Sequence, residues 1–262
     1  MKVDNYIIRK ADITMKTIMI LGGSKGVGKE ILSSCLNKGY NVSFCGRSLE
    51  EGEKIIKSTK SESQLYFHKL NLESIEGIKD FYKQTIKRFK KIDALVLYAG
   101  ITPVSSITNT EEDVYDSVFN INLKAPFFLL KHVLKSMIDN KSGSIIFFGS
   151  AHMDYGEMNR APYALTKSSL YTLSNHIAHH YAKYGIRSNY LVMGWTNTEG
   201  ELELRTKEGI SAKKLKEKAS TIIPMGRMLN TSDPIPAVMY FISDESAMTT
   251  GSLIRITGGE YI

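Results

Sequence analysis

Along the chain, short runs of β-branched and aromatic residues alternate with longer stretches in which apolar residues recur at helical spacing. That is the pattern of strand–helix units wound around a parallel sheet. The runs predict strands at Thr17–Leu21, Asn41–Cys45, Leu65–His68, Ala94–Leu97, Ser144–Phe148, Arg187–Val192 and Leu253–Ile256. Helices are predicted over Gly28–Lys38, Ser74–Lys90, Glu111–Asp139 and Ala161–Tyr184, with a shorter one over Ser232–Ser243 that opens on a polar cap, an acid and a proline. The expected fold is one α/β domain, a doubly wound parallel sheet of about seven strands with helices on both faces. No repeat or Pro/Gly-rich linker divides it, so residues 17–262 are expected to form the domain behind an N-terminal extension of residues 1–16. The charged stretch at 196–223 follows the C-terminal end of a predicted strand, where ligands bind in such sheets, and is expected to be a substrate lid.

Composition narrows the function classes. A chain of 262 residues with 42% hydrophobic and 23% charged residues is globular and buries a large core. Lys and Arg number 34 against 27 Asp and Glu, a net charge of +7 that favours anionic ligands. These charges are scattered, with no basic stripe interleaved with aromatics, so nucleic acid is not an expected partner. No run approaches the roughly 18 apolar residues of a membrane helix, and the first sixteen residues lack a signal's apolar core. No membrane partner is expected, and a cytoplasmic location is. Cys35 and Cys45 are too few for a disulfide framework and are expected to be reduced. His176, His179 and His180 have helical spacing without a Cys or carboxylate partner, so they are read as surface or subunit-contact residues and no metal site is expected.

Candidate chemistry begins at Gly22-Gly23-Ser24-Lys25-Gly26-Val27-Gly28, between the first strand and the first helix. Glycines there permit a tight turn and close approach of the backbone to a pyrophosphate on the helix N-terminus. Gly22, Ser24, Lys25, Gly26, Val27 and Gly28 are therefore candidate cofactor residues. An NAD site usually ends its second strand with an acid for the ribose hydroxyls, whereas this chain has Cys45-Gly46-Arg47-Ser48. Arg47 beside Ser48, with Lys25 and no competing carboxylate, suits a phosphate and points to NADP(H).

Tyr163 and Lys167 are four residues apart at the start of a predicted helix and so share a face. A free phenol is a poor acid at neutral pH unless a positive charge stabilises its phenolate, which Lys167 is expected to do. Tyr-x-x-x-Lys is common on amphipathic helices. Ser150, at the end of the strand before it, gives the pair a partner for a carbonyl oxygen, and Asn122 follows upstream in Asn120-Ile121-Asn122-Leu123-Lys124.

In order and spacing these motifs resemble the short-chain dehydrogenase/reductase family. The stretch Ile223-Pro224-Met225-Gly226-Arg227 through Gly251 to Gly258-Gly259 is similar to its 3-oxoacyl-acyl-carrier-protein reductase branch. The resemblance implies a Rossmann-type fold and a catalytic tetrad of Asn122, Ser150, Tyr163 and Lys167. Tyr163 would protonate the alkoxide formed by hydride transfer, Ser150 would bind its oxygen, and Asn122 would hold a water for Lys167. Further cofactor contacts are implied at Asn71, Leu72, Ala99, Gly100, Gly194, Thr196 and Thr198. The chain departs from the family where Leu21 replaces a threonine, Leu97-Tyr98 replaces Asn-Asn, Asn71 replaces an acid and Met193 replaces a proline. Leu21 and Leu97 are expected to exchange a polar link for an apolar contact.

The substrate is expected to be a small ketone or secondary alcohol, either a 3-oxoacyl group on a carrier protein or a sugar or other polar metabolite. A cofactor-binding sensor without turnover is the other class. His152, Arg160 and Trp195 are candidate substrate residues, the first two in a polar loop with Asp154, Tyr155, Glu157 and Asn159. Lys141 fits a carrier-docking position, but Tyr184 stands where another cation is expected. The resemblance further implies a homodimer or homotetramer through the helices that carry Asn122 and Tyr163, with Phe127-Phe128-Leu129-Leu130 as core and contact surface.

Overall fold

The structure is a computed structural model that describes residues 15–59, 61–154, 156–207 and 209–260. Of the expected extension only Met15 and Lys16 are described, and Tyr155 also lies outside the described residues.

Seven strands form the sheet: β1 (Thr17–Leu21), β2 (Asn41–Gly46), β3 (Leu65–Lys69), β4 (Ala94–Leu97), β5 (Gly143–Ser150), β6 (Ile186–Met193) and β7 (Leu253–Ile256). All pairs are parallel, in the order β3-β2-β1-β4-β5-β6-β7. The order reverses between β1 and β4, and the crevice beyond their carboxyl ends is where such a sheet binds ligands.

Nine α-helices are described: α1 (Gly26–Asn37), α2 (Leu49–Ser58), α3 (Ile75–Phe89), α4 (Glu112–Phe119), α5 (Ala125–Asn140), α6 (Ala161–His180), α7 (Glu199–Lys207), α8 (Ala212–Ile222) and α9 (Ile235–Ile242). Side chains alternate across each strand, so β1 feeds two cores. Ile18 and Ile20 pack with Val27, Ile31, Val238 and Phe241 of α1 and α9 on one face. Met19 and Leu21 pack with Ile78, Phe81, Leu129 and Leu170 of α3, α5 and α6 on the other. Leu21 and Leu97 are register partners, and both lie in this second core.

Several elements differ from expectation, among them α7 and α8, which lie in the stretch expected only as a lid. Sequence periodicity missed α2, whose apolar stripe is short; it forms because Ser48 Oγ caps it by accepting from Glu51 N at 3.2 Å, and Gly52 lets it pack on the Phe67 ring. The expected helix over 111–139 is broken into α4 and α5 by a π-helical turn at Asn120–Lys124. The last helix starts at Ile235 rather than Ser232, because Asp233 closes a turn instead. It accepts from Asn230 N at 2.8 Å and pairs with Arg227 at 2.7 Å.

Candidate active site

A cleft of about 1090 Å³ runs along the carboxyl ends of the strands, from the β1–α1 and β2–α2 loops to the α7–α8 segment. At one end the glycine loop wraps the start of α1. Gly22 and Gly26 have φ of +94° and +52°, the left-handed region open to glycine. A Cβ on Gly28 would overlap the Gly22 carbonyl oxygen, so the loop closes on the helix only without a side chain there. α1 has no acid in its first turn and no side-chain cap, which leaves its positive end facing the cleft.

Tyr98, singled out by the sequence only as a departure, supports this loop from beneath. It stands edge-on to Phe148 at 5.2 Å, and the backbone N–H of Val27 bonds its hydroxyl. Burial is the stronger influence on its pKa and raises it.

Ser24, Lys25, Val27, Arg47, Ser48, Asn71, Leu72, Ala99 and Gly100, the candidate cofactor residues, also line this end. Gly26 and Gly28 lie behind it, shaping the loop. The expectation that no carboxylate competes for the cations is corrected: Glu51, in the first turn of α2, also lines the cleft and pairs with Lys25 at 3.4 Å. Asn71 Oδ1 accepts from Glu73 N at 3.2 Å and keeps a second lone pair. Cys45 lines the cleft too, but burial pushes its thiol, and that of Cys35, up to about 12, which makes both unreactive.

At the inner end, β5 delivers Ser150 and the first two turns of α6 deliver Tyr163 and Lys167. Lys167 is 4% exposed, donates from Nζ to Phe148 O at 2.8 Å and lies 5.5 Å from the centre of the Tyr163 ring. Burial pushes the Tyr163 phenol up to about 12, against a hydrogen bond with Ser150 that pulls it down. Weaker influences are Tyr98 and Glu201, which raise it, and Arg160, which lowers it. Desolvation dominates here, and it pushes Lys167 itself down to about 8.

Asn122 sits in the π-helical turn, a widened turn that recurs at functional sites. Its side chain clamps the loop after β4: Oδ1 accepts from Ile101 N at 2.8 Å, and Nδ2 donates to Ile101 O at 2.9 Å and Thr166 Oγ1 at 3.3 Å. Both amide protons are therefore given to protein oxygens, and Oδ1 retains one lone pair for a water. A Cβ on Gly100 would come within 3.1 Å of that oxygen and 3.8 Å of Lys167 Nζ.

The far wall belongs to the α7–α8 segment. Trp195 Nε1 and Arg205 Nε both donate to Glu201 Oε1, at 2.6 and 2.7 Å, and the Arg205 guanidinium lies 5.2 Å over the indole. Glu260, 8% exposed, accepts from Trp195 N at 3.2 Å. Glu201, Arg205 and Glu260 were not foreseen: Glu201 and Arg205 are two among many charges of the expected lid, and Glu260 is 65 residues from Trp195 in sequence. Thr198 and Thr196 line the cleft, but Thr198 Oγ1 accepts from Glu201 N at 3.2 Å at the start of α7, and its methyl packs near Gly26. Gly194 also lines the cleft, and the expected substrate residues His152, Arg160 and Trp195 are brought together there.

Elsewhere, the rings of His176 and His179 lie 4.4 and 4.8 Å from that of His180. Among the described residues no group of three or more His, Cys, Asp or Glu could hold a metal ion, and no helix is long and apolar enough to cross a membrane.

The profile of the short chain dehydrogenase family matches residues 16–209. An uncharacterized oxidoreductase of Thermotoga maritima is 31% identical over 93% of this chain and 96% of its own. The 3-oxoacyl-(acyl-carrier-protein) reductase FabG of Chlamydia pneumoniae is 29% identical over 95% of this chain and 98% of its own. Among solved structures, ElxO with NADP bound superposes with a TM-score of 0.86 at 26% identity, over 94% of this chain and 98% of that one. The actinorhodin polyketide ketoreductase with NADPH superposes at 0.89 and 22% identity, over 94% and 97%. With this sheet order, this glycine loop and this match, the chain belongs to the short chain dehydrogenase family.

Proposed function

We propose that the protein is an NADP(H)-dependent oxidoreductase that interconverts a ketone and a secondary alcohol, with Tyr163 as the proton donor. The observation that carries this reading is the position of Tyr163, which lines the inner end of an elongated cleft together with Ser150 and has its ring centre 5.5 Å from the Lys167 ammonium. The cleft's other end fits a dinucleotide. The uncapped N-terminus of α1 and the glycine loop suit a pyrophosphate, and Lys25 and Arg47 suit a further phosphate. ElxO, solved with NADP bound, supports the same cofactor. When bound, NADP(H) supplies or accepts the hydride.

The chain's own residues handle the oxygen and the proton. Ser150 Oγ hydrogen-bonds the substrate oxygen and holds it beside the phenol. Tyr163, pushed up to about 12, carries its proton at neutral pH, the form that reduction requires. The phenol gives that proton to the developing alkoxide, a far stronger base. Ser150 and the Lys167 charge then stabilise the phenolate that remains, and Lys167, at about 8, is the adjoining proton reservoir.

For the substrate, the relatives named as 3-oxoacyl reductases support a 3-oxoacyl group, to which a carrier docked near Lys141 would add. The charged wall of Trp195, Glu201, Arg205 and Glu260 favours the second reading, a smaller polar ketone. The α7–α8 segment serves in either case as the lid. An apolar recess of about 660 Å³ lined by Leu123, Phe127, Phe128, Leu173 and His176 supports a homodimer or homotetramer through α5 and α6. The proposal is tested with purified protein, NADPH and a panel of ketones. Tyr163→Phe should lose turnover by several orders of magnitude while binding NADPH normally, and full turnover by that variant refutes the assignment.

A further inference from the structure

The proton transfer described above uses Ser150, Tyr163 and Lys167, and does not use the imidazole of His152 beside them. His152 stands in the 3₁₀ turn Ala151–Met153 that follows β5. Its backbone N–H donates to Ser150 Oγ at 3.3 Å, so the turn that orients the serine also carries the imidazole. The ring lines the cleft and stands edge-on to Tyr163, with centroids 5.9 Å apart.

Which ring nitrogen carries the proton follows from the backbone. Nδ1 accepts the N–H of Glu157 at 3.1 Å, and a nitrogen that accepts has no proton, so the neutral imidazole is protonated at Nε2. Burial favours that neutral form. It is the largest influence on the ring's pKa and lowers it, Arg160 and Arg205 lower it further, and Glu157 and Glu201 oppose them. The imidazole is thus a neutral N–H donor held in one tautomer beside the phenol and the serine. Facing it across the cleft is a second polar wall, where Trp195 and Arg205 are held on Glu201.

We infer that His152 is a specificity-determining residue whose Nε2–H reads a second oxygen of the substrate. The preferred ketone then bears a hydroxyl, carbonyl or carboxylate oxygen on the carbon beside the reacting carbonyl or one beyond. This rests on the assignment of Tyr163 and Ser150 to the reacting oxygen. A plain alkyl ketone in the same place would offer that N–H no acceptor, and a site that hydrogen-bonds a substrate oxygen discriminates against an analogue lacking it.

The test pairs ketones of one carbon skeleton, butane-2,3-dione and 3-hydroxybutan-2-one against butan-2-one, with NADPH and wild-type, His152→Ala and His152→Gln protein. Wild type should favour the oxygenated ketones, and His152→Ala should lower their kcat/KM by roughly 10- to 100-fold, chiefly through KM. The same variant should lower kcat/KM for butan-2-one by much less than for the oxygenated ketones and leave the Kd for NADPH within about twofold, and His152→Gln, which keeps an N–H donor, should recover part of the loss. Equal losses on both classes of ketone would make His152 a support for the Ser150 turn and overturn the inference. So would unchanged kinetics, or a wild type that turns over neither class. Failure of the underlying reading has a separate signature, full turnover by Tyr163→Phe on whichever ketone the wild type reduces.

Discussion

Lys167 is a charged group placed where charge is expensive, and the cost is measurable as a pH dependence of stability. Burial pushes its pKa from 10.5 to about 8. Between those values the unfolded chain holds a proton that the folded protein has released, so stability rises with pH across this window. The shift of 10.5 − 8 = 2.5 units corresponds to about 3 kcal/mol at about 1.4 kcal/mol per unit, of which about 2 kcal/mol falls between about pH 7 and about pH 9.5.

Lys167→Met removes the titration. It also removes the bond to Phe148 O, but that loss offsets the variant by a similar amount at both pH values and cancels in the difference. Urea unfolding followed by circular dichroism, on both proteins at both pH values, should show the wild type gaining about 2 kcal/mol on the variant as pH rises, with equal m-values. Expressed as melting temperature, the relative gain is on the order of 5 °C for a chain of this size. A difference that stays flat, or that shrinks with rising pH, refutes the claim that the ammonium is desolvated in the folded protein.

Two further predictions concern the cofactor end and the core. Glu51→Gln releases Lys25 from a 3.4 Å pair whose side chains are 42% and 59% exposed, so the effect is modest, under about 1 kcal/mol. The Kd for NADPH, measured by fluorescence titration, should fall about threefold at low salt and converge with wild type at high salt, with NADH binding unchanged. An equal change for both cofactors would contradict the placement of Lys25 at the phosphate. Leu97→Asn puts an amide into the core opposite Leu21 and should destabilise by about 3 kcal/mol or more in chemical denaturation. Adding Leu21→Thr, which offers a hydroxyl across the same register, should recover about 1 kcal/mol, and a strictly additive double variant would show that the two positions do not interact.

Most of the architecture was legible because each strand is short, apolar and bounded by turn residues. β1 and β4 match their predicted limits, and β5 and β6 extend a residue or two further at their ends. The site was legible where chemistry depends on local spacing. Ser150 ends a strand, Tyr163 and Lys167 share a helix face, and the glycines follow β1. Other features were not legible. The π-helical turn at Asn120–Lys124 leaves the apolar pattern of a continuous helix intact while rotating Asn122 towards Ile101 and Thr166. Tyr98 reads as a substitution in a motif, yet it props the glycine loop from just past the end of β4. Glu51 belongs to a helix whose stripe is too short to register.

What the sequence by itself determined is the alternation of elements, the family pattern and the candidates for the reacting groups. These depend on period, turn chemistry and spacing along one chain. Only the tertiary structure decided the electrostatics of the site. Burial raises Tyr163 and lowers Lys167, Glu51 meets Lys25, and Trp195, Glu201, Arg205 and His152 close around the reacting centre. The reason is physical: desolvation and charge pairing act through space, between side chains that the folded sheet brings together from distant parts of the chain.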